Sequence, residues 1–363
     1  MPEQAAATEL AEVLGRAPGP HIVTPLLHNA GNHVTAGICR YAGDGWSVIG
    51  KHVTPGGVGV EHWATSERPD HWNYWAREPM AYRSGLAAAA YEGSGITAPE
   101  LLGAFDRSDG IALWLEDVAG TAGEQWDVAA VAGFARQLGR GQGGYLAGRP
   151  LPDAGWLSRR WLRQYVDSKP VDGSVLRDDG SWQVPVIAAA YEGLRPGLTR
   201  LWDEREALLR AVEALPQTLC HNDVWPMNLL ARDGQHVLLD WAFVGVGAVG
   251  EDAGNLVPDS VWDGFLPLSM LPALAEQVWT GYLSGLRDAG WTGDERLARL
   301  GFTAGGAAKY AWLAESSIRR LQRGELSSYG GYSRLKLDDL FRTYAGVFRL
   351  LLEWAEEART LLA

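Results

Sequence analysis

The 363-residue chain is poor in cysteine and in lysine, and both shortages narrow what it can be. Its two cysteines, Cys39 and Cys220, make neither a disulfide framework nor a four-ligand zinc site. The four lysines are Lys51, Lys169, Lys309 and Lys336. Any chemistry that depends on a lysine therefore has few candidates.

Positive charge and long apolar runs are also scarce. Lys and Arg total 32 against 44 Asp and Glu, and the net charge of −12 would repel a nucleic-acid backbone. No uninterrupted apolar run approaches the roughly 20 residues that cross a bilayer. Glu3, Glu9 and Glu12 stand where a secretory signal needs basic charge. We therefore expect a cytoplasmic protein without a nucleic-acid or membrane partner.

What is present is a globular composition, with 47% hydrophobic and 21% charged residues, in a chain long enough for two domains. Residues 20–60 alternate short apolar runs with Gly, Asn and Asp turns, which predicts antiparallel strands. Residues 72–90 have helical periodicity. Long amphipathic segments dominate residues 118–363, interrupted by the strand-like stretch 218–246. The pattern predicts an α+β fold with a small β-rich lobe over 1–117 and a larger helical lobe that contains a hairpin.

The stretch inside the helical region carries the residues that suggest chemistry. His221 and Asp223 are followed, after four residues, by Asn228. Two apolar runs then flank the Asp-Gly pair at 233–234, which is a strong signal for a tight hairpin. The second run ends at Asp240, so pairing the strands about this turn brings Asp240 close to Asn228.

Two carboxylates and an amide oxygen at one hairpin mouth suit Mg²⁺, which prefers oxygen ligands and shares them with substrate phosphates. Phosphoryl transfer needs little more than metal, a positioned acceptor and a cation on the phosphates. In this scheme Asp240 and Asn228 bind Mg²⁺, and Asp223 accepts the proton of the attacking hydroxyl. His221 braces the catalytic loop.

These motifs resemble those of the aminoglycoside phosphotransferase and choline kinase family, whose His-x-Asp-x-x-x-x-Asn loop matches His221, Asp223 and Asn228. The family's metal-binding aspartate matches Asp240, and a downstream Asp that braces the loop matches Asp252, which we expect to cap a helix. The resemblance implies a bilobal protein-kinase-like fold, ATP or GTP with Mg²⁺ as cofactors, and a small-molecule hydroxyl acceptor.

The same resemblance assigns nucleotide contacts in the first lobe. Lys51 would hold the α- and β-phosphates and pair with Glu78, which precedes Pro79 at the start of a helix. Asn32 would lie in the loop that covers the phosphates. Glu116 and Val118 would offer backbone groups to adenine.

Several readings of function stay open at this stage. The resemblance favours an antibiotic kinase that confers resistance, acting on an aminoglycoside or on another natural product such as a nucleoside antibiotic. The modest negative charge of residues 118–363 favours the less charged acceptors. A metabolic kinase for choline, an amino alcohol or a sugar is the alternative, and the oligomeric state is undetermined.

Two alternatives come from other functional classes. One is a pseudokinase that binds nucleotide without catalysis. The other is a dinucleotide-dependent oxidoreductase, because residues 139–144 and 245–250 both match Gly-x-Gly-x-x-Gly, although neither stands in a strand, turn and helix unit. The short interval between Asp240 and Asp252 argues against a eukaryotic-type protein kinase, since it leaves no room for an activation loop.

Overall fold

The computed structural model describes residues 3–57, 59–325, 333 and 335–363. These residues form two compact units. The first contains the described residues up to Thr121 together with Asp153–Ser158 and Leu230–Val244, and the second contains Ala122–Pro152, Arg159–Leu229 and the described residues from Gly245 onward. The sequence suggested a single boundary after residue 117, whereas the first unit continues to Thr121 and includes two later stretches of chain.

The first unit is built on a five-stranded antiparallel sheet with the strand order β1-β2-β3-β6-β5. Its elements up to Glu116 are α1 (Glu3–Leu14), β1 (His21–Pro25), β2 (Thr35–Gly43), β3 (Trp46–Val53), α2 (Arg77–Arg83), α3 (Leu86–Ala89), β4 (Ile96–Thr97), β5 (Leu101–Arg107) and β6 (Gly110–Glu116).

The central strand β3 carries Lys51, which is paired with Ile38 on β2 and with Leu113 on β6. Gly45, with φ +73°, supplies the left-handed residue of the tight turn between β2 and β3. Six of the seven residues of β6 are buried. Lys51 is therefore placed in the middle of a sheet whose neighbouring strand is buried.

The predicted helix over 72–90 is shorter and divided. It starts only at Arg77, which leaves Pro79 in the first turn, where the missing N–H costs nothing. Gly85, with φ +76°, then separates α2 from α3.

The predicted hairpin is present and belongs mainly to the first unit. It consists of β9 (Leu229–Arg232) and β10 (Gln235–Leu238), and its turn residues Asp233 and Gly234 both have positive φ. This is the backbone conformation that Asp-Gly turns favour. Strand β10 runs parallel to β4, with His236 opposite Ile96. This pairing brings the residues after β10, including Asp240, into the first unit.

The second unit is mostly helical, as predicted. Its helices are α4 (Val128–Leu146), α5 (Trp161–Asp167), α6 (Ser174–Arg177), α7 (Asp179–Trp182), α8 (Pro185–Ala190), α9 (Arg195–Glu213), α10 (Glu251–Trp262), α11 (Leu271–Asp288), α12 (Glu295–Tyr310), α13 (Leu313–Gln322) and α14 (Leu337–Leu362). Strand β7 (Thr121–Ala122) precedes them, and β8 (Gln217–Cys220) pairs antiparallel with β11 (Gly245–Ala248). None of the described helices is long and apolar enough to cross a membrane.

The glycine run at 139–144 lies inside α4 and serves helix packing. A Cβ on Gly139 would lie 2.1 Å from the carbonyl oxygen of Tyr282 on α11, and a Cβ on Gly285 would lie 2.0 Å from that of Arg136 on α4. The two helices approach too closely for side chains at these positions. The run is therefore explained without a dinucleotide.

Helix α1 is attached to the sheet by a buried ion pair. The Glu9 carboxylate accepts hydrogen bonds from Nε of Arg107 at 2.7 Å and from Nε1 of Trp114 at 2.9 Å. Leu10 packs in the same cluster as Trp114.

We expect Glu9→Gln to lower the free energy of unfolding by about 3 kcal/mol, because it leaves the buried Arg107 charge without its carboxylate. Urea unfolding of the variant beside Glu12→Gln, an exposed glutamate on the same helix, measures the effect. Equal stability of the two variants would contradict the assignment.

Candidate functional site

Lys51, Glu78 and Asp240 form one charged cluster in the first unit. Lys51 Nζ lies 2.6 Å from Oε2 of Glu78 and 3.0 Å from Oδ1 of Asp240. The side chains of Lys51 and Glu78 are 5% and 2% exposed, whereas that of Asp240 is 35% exposed. The structure thus brings together three of the residues singled out from the sequence, and only the third is open to a ligand.

The charges of this cluster determine its protonation. Burial alone would lower the pKa of Lys51, but the carboxylates of Asp240 and Glu78 outweigh burial and raise it. Burial raises the pKa of Glu78, while Lys51 and a hydrogen bond from the Trp241 backbone oppose that change. Lys51 is therefore a permanent cation beside two carboxyl groups. When both are ionised, the cluster has an excess negative charge at its exposed member, Asp240.

Asp240 is held in an unusual backbone conformation. Its φ of 57° and ψ of 76° are left-handed, which costs a residue other than glycine about 1–2 kcal/mol. A single 3₁₀ turn, Trp241–Phe243, follows it. The indole of Trp241 is fully buried and donates a hydrogen bond to the carbonyl of Leu238 at 3.0 Å. These contacts maintain the strained residue, and such strain is typical of functional positions.

Asp223 and Asn228 lie together in the second unit. Asn228 Nδ2 donates to the backbone oxygen of Asp223 at 3.0 Å and to its Oδ2 at 2.8 Å. Because the amide nitrogen is committed to Asp223, the oxygen Oδ1 is the atom that Asn228 can offer to a hard cation. The amide oxygen of Asn228 in the second unit and the partly exposed carboxylate of Asp240 in the first are each of the donor type that Mg²⁺ prefers.

The loop before Asp223 is anchored by Asp252. Its carboxylate accepts hydrogen bonds at 2.8 Å from the backbone N–H groups of His221 and Asn222 and from Nε2 of Gln142. Burial raises the pKa of Asp252 to about 6 in spite of these bonds. The predicted bracing contact is therefore present.

The predicted capping role of Asp252 is wrong. The N-cap of α10 is Gly250, with φ 89°, and Asp252 is the second helical residue. From there its side chain reaches back to the loop instead of capping its own helix.

Gln142 is a contributor that the sequence did not reveal. It binds Asp252 and the carbonyl of Leu219, and its Oε1 accepts a hydrogen bond from the Tyr282 hydroxyl at 2.7 Å. It stands within the glycine run of α4, and the glycine pattern of this segment gives no indication of a polar role for one of its residues. A single polar residue among helix-packing positions was the only available signal.

The remaining predicted nucleotide contacts lie elsewhere in the first unit. Oδ1 of Asn32 accepts hydrogen bonds from the backbone of Val34 and from Asn73 Nδ2, so this side chain stabilises its own loop. Glu116 ends β6, where its backbone N–H donates to Glu100 and its side chain pairs with Arg232. Val118, two residues after Glu116, is half-buried. Their roles toward a nucleotide stay predictions.

Among the described residues, no group of three or more His, Cys, Asp or Glu side chains is arranged to hold a metal ion. A cation at the carboxylate of Asp240 would therefore need further oxygen ligands, such as nucleotide phosphates.

Comparisons with known proteins identify the family of the chain. The profile of the APH phosphotransferase enzyme family matches residues 80–295, which include Asp223, Asn228 and Asp240. The chain belongs to this family. It is a kinase that uses a hydroxyl group as phosphoryl acceptor, which confirms the predicted enzyme class and excludes the dinucleotide-dependent oxidoreductase.

Solved structures confirm the kinase-like fold. The chain is similar to the amicoumacin kinase hAmiN in complex with AMP-PNP, Ca²⁺ and Ami, with a TM-score of 0.54, 14% identity, and coverage of 96% of this chain and 94% of that one. It is also similar to choline kinase from Cryptosporidium parvum Iowa II, with a TM-score of 0.53, 12% identity and coverage of 98% and 96%. A choline/ethanolamine kinase family protein from Mesorhizobium loti is also similar, with a TM-score of 0.51, 16% identity, and coverage of 99% of this chain and 100% of that one. A search of curated protein sequences finds no match.

A second buried acid beside Asp252 makes stability depend on pH. Glu251 opens α10, and its Oε2 accepts a hydrogen bond from the backbone of Ala248 at 3.2 Å. Burial, with the charge of Asp252 next, raises the pKa of Glu251 from 4.5 to about 7. The folded protein therefore keeps a proton that the unfolded chain releases. The stability that this proton contributes is present below pH 4.5 and is lost as pH rises through 7.

We expect Glu251→Gln to remove this share of the pH dependence, up to about 3 kcal/mol between pH 4.5 and 7.5. Urea unfolding of the wild type and the variant at several pH values gives the difference between their slopes, in which the titrating groups that do not interact with Glu251 cancel. Parallel curves for the two proteins would contradict the prediction.

Proposed function

We propose that this kinase transfers the γ-phosphate of ATP to a hydroxyl group of a small natural product, with Mg²⁺ as cofactor. The observation that carries the proposal is the buried Lys51, shared by Glu78 and the exposed carboxylate of Asp240. A permanent cation beside a partly exposed carboxylate supplies both partners that a nucleotide and its metal require. The same groups would accept GTP.

The roles follow from the contacts of each residue. By the resemblance of the motifs, Asp240 and the amide oxygen of Asn228 would hold Mg²⁺, which when bound would neutralise charge on the nucleotide phosphates. Lys51 would contact the phosphates, with Glu78 keeping its ammonium group in place. Asp223, oriented by the amide of Asn228, would accept the proton of the acceptor hydroxyl. His221 would contribute through its backbone, which Asp252 anchors.

The second unit contains two buried lysines beside aromatic rings, and they bear on the acceptor. Lys169 Nζ lies 3.5 Å from the ring centroid of Tyr165 and 5.0 Å from that of Trp312. Lys309 Nζ lies 5.6 Å from that of Trp161. Aromatic cages hold quaternary ammonium ligands in the same way. Burial, with the charge of Lys309 next, lowers the pKa of Lys169, and Lys309 Nζ lies 3.4 Å from Oδ2 of Asp259. Because side-chain amino groups of the chain itself occupy these aromatic rings, the cluster supports an acceptor without a cationic group.

Tyr310 contacts this cluster and is close enough to Asp223 for the charge of that carboxylate to affect it. Its ring centroid lies 5.2 Å from Nζ of Lys309. Burial raises the pKa of Tyr310, and the charges of Asp259 and, last, Asp223 add to the effect. These relations support a neutral hydroxylated acceptor, such as a nucleoside antibiotic, over a polycationic aminoglycoside or choline. With such an acceptor the enzyme would act in antibiotic resistance.

A mass-spectrometric screen tests the function. Hydroxylated antibiotics, nucleosides, sugars, amino alcohols and choline are incubated with MgATP and the wild type, Asp223→Asn, or the matched control Asp233→Asn in the exposed hairpin turn. We expect a phosphorylated product of a neutral compound with the wild type and the control, and a rate at least about a hundredfold lower with Asp223→Asn. Phosphorylation of choline or aminoglycosides alone would contradict the acceptor class. Equal rates for Asp223→Asn would contradict the role of Asp223.

The nucleotide half of the proposal has its own test. We expect Lys51→Met to weaken binding of AMP-PNP by about tenfold or more, since one charge-assisted contact to phosphate is lost. Isothermal titration calorimetry measures this, and Lys336→Met, which removes an exposed lysine, serves as control. Unchanged AMP-PNP affinity in a folded Lys51→Met variant would overturn the assignment and leave only a structural role for this lysine.

A further inference from the structure

Arg77 is a fully buried arginine that hydrogen-bonds backbone carbonyls. Its guanidinium donates to the oxygens of Trp72 at 2.8 Å, His71 at 2.6 Å, Pro69 at 3.1 Å, Trp156 at 3.0 Å and Ala242 at 3.3 Å. Burial lowers the pKa of Arg77 to about 9, which leaves it charged at neutral pH. Among the described residues, no carboxylate forms an ion pair with Arg77, and buried charges are normally paired.

The acceptors of Arg77 come from three separate stretches of the first unit. One is the segment before α2, the second is 153–158, and the third is the turn that follows Asp240. Only arginine can donate to so many acceptors in different directions. A shorter or neutral side chain could not join these three stretches.

The position of Arg77 next to Glu78 relates this contact to the site. Glu78 binds Lys51, which contacts the carboxylate of Asp240. Arg77 binds the carbonyl of Ala242, two residues further along. Arg77 thus binds the turn directly at Ala242, and its neighbour Glu78 acts through Lys51 on Asp240, the residue with the strained backbone at which the turn begins.

We propose that Arg77 is a positioning residue for the metal-binding turn, which holds Ala242 so that the carboxylate of Asp240 is oriented before any ligand binds. The proposal rests on the proposed role of Asp240 in binding Mg²⁺. Preorganisation of this kind lowers the ordering cost of binding.

Hydrogen exchange on the ligand-free protein tests the positioning directly. Arg77→Lys and Arg77→Met are compared with the wild type and with Arg83→Met, a control on the same helix whose arginine pairs with the exposed Asp106. We expect faster amide exchange at residues 241–243 in both Arg77 variants and unchanged exchange in β3. The control should match the wild type throughout.

Metal dependence gives the second readout. AMP-PNP binding is titrated with Mg²⁺ in each variant, and we expect the half-saturating Mg²⁺ concentration to rise about tenfold for Arg77→Lys and further for Arg77→Met. Metal-free AMP-PNP affinity should stay within about twofold. A merely structural role would lower thermal stability without separating these two affinities.

The outcomes distinguish this proposal from the proposed function. Asp240→Asn is titrated in parallel, and if it keeps the wild-type Mg²⁺ dependence, the metal assignment itself fails. If Asp240→Asn loses that dependence while a folded Arg77→Lys retains wild-type exchange and titration, only the role of Arg77 is overturned. Failure of both Arg77 variants to fold would assign the residue to stability alone and would also overturn the proposal.

Discussion

The buried ammonium group of Lys51 is the constraint around which the first unit is organised. A lysine in the centre of a sheet is tolerated only with carboxylates within reach, and Glu78 and Asp240 supply them from a helix and from a hairpin far along the chain. The sheet, α2 and the β9–β10 hairpin therefore have to meet around one charge. The parallel pairing of β10 with β4 provides the backbone route by which the distant hairpin arrives. The packing of the first unit and its charged cluster depend on the same three side chains.

In the second unit, a buried carboxylate fixes a loop backbone instead of compensating a buried cation. In the loop that carries Asp223, the carboxylate of Asp252 accepts hydrogen bonds from the backbone N–H groups of His221 and Asn222. Gln142 and Tyr282 extend this anchoring into the packed helices α4 and α11, whose glycines permit close approach. The loop conformation is thus imposed by buried polar groups of the helical core.

Sequence reasoning identified the fold class, the hairpin and the pairing of Lys51 with Glu78, because rare residue types in matching motifs leave few alternatives. It singled out Asp240 as a metal ligand but did not predict its contact with Lys51. It failed where the decisive partner is a backbone atom. The five acceptors of Arg77 are carbonyl oxygens, which every residue possesses and which therefore leave no trace in the sequence. The position of Asp252 inside α10 was missed for a similar reason, since Gly250 takes the cap through its left-handed backbone. The extent of the first unit also depends on a short parallel pairing between remote strands, which local patterns do not encode.

The first unit is discontinuous in sequence, and this limits how the protein can be divided or assembled. A fragment that ends at Thr121 would keep the five-stranded sheet and Lys51 but would lack Asp240 and two of the carbonyls that bind Arg77. It would bury two cations with part of their compensation missing. During synthesis the first unit must therefore wait for more than a hundred further residues before its charges are satisfied, so its completion is linked to the emergence of the helical unit from the ribosome. The buried charges of the first unit thereby also set the order in which the chain can fold.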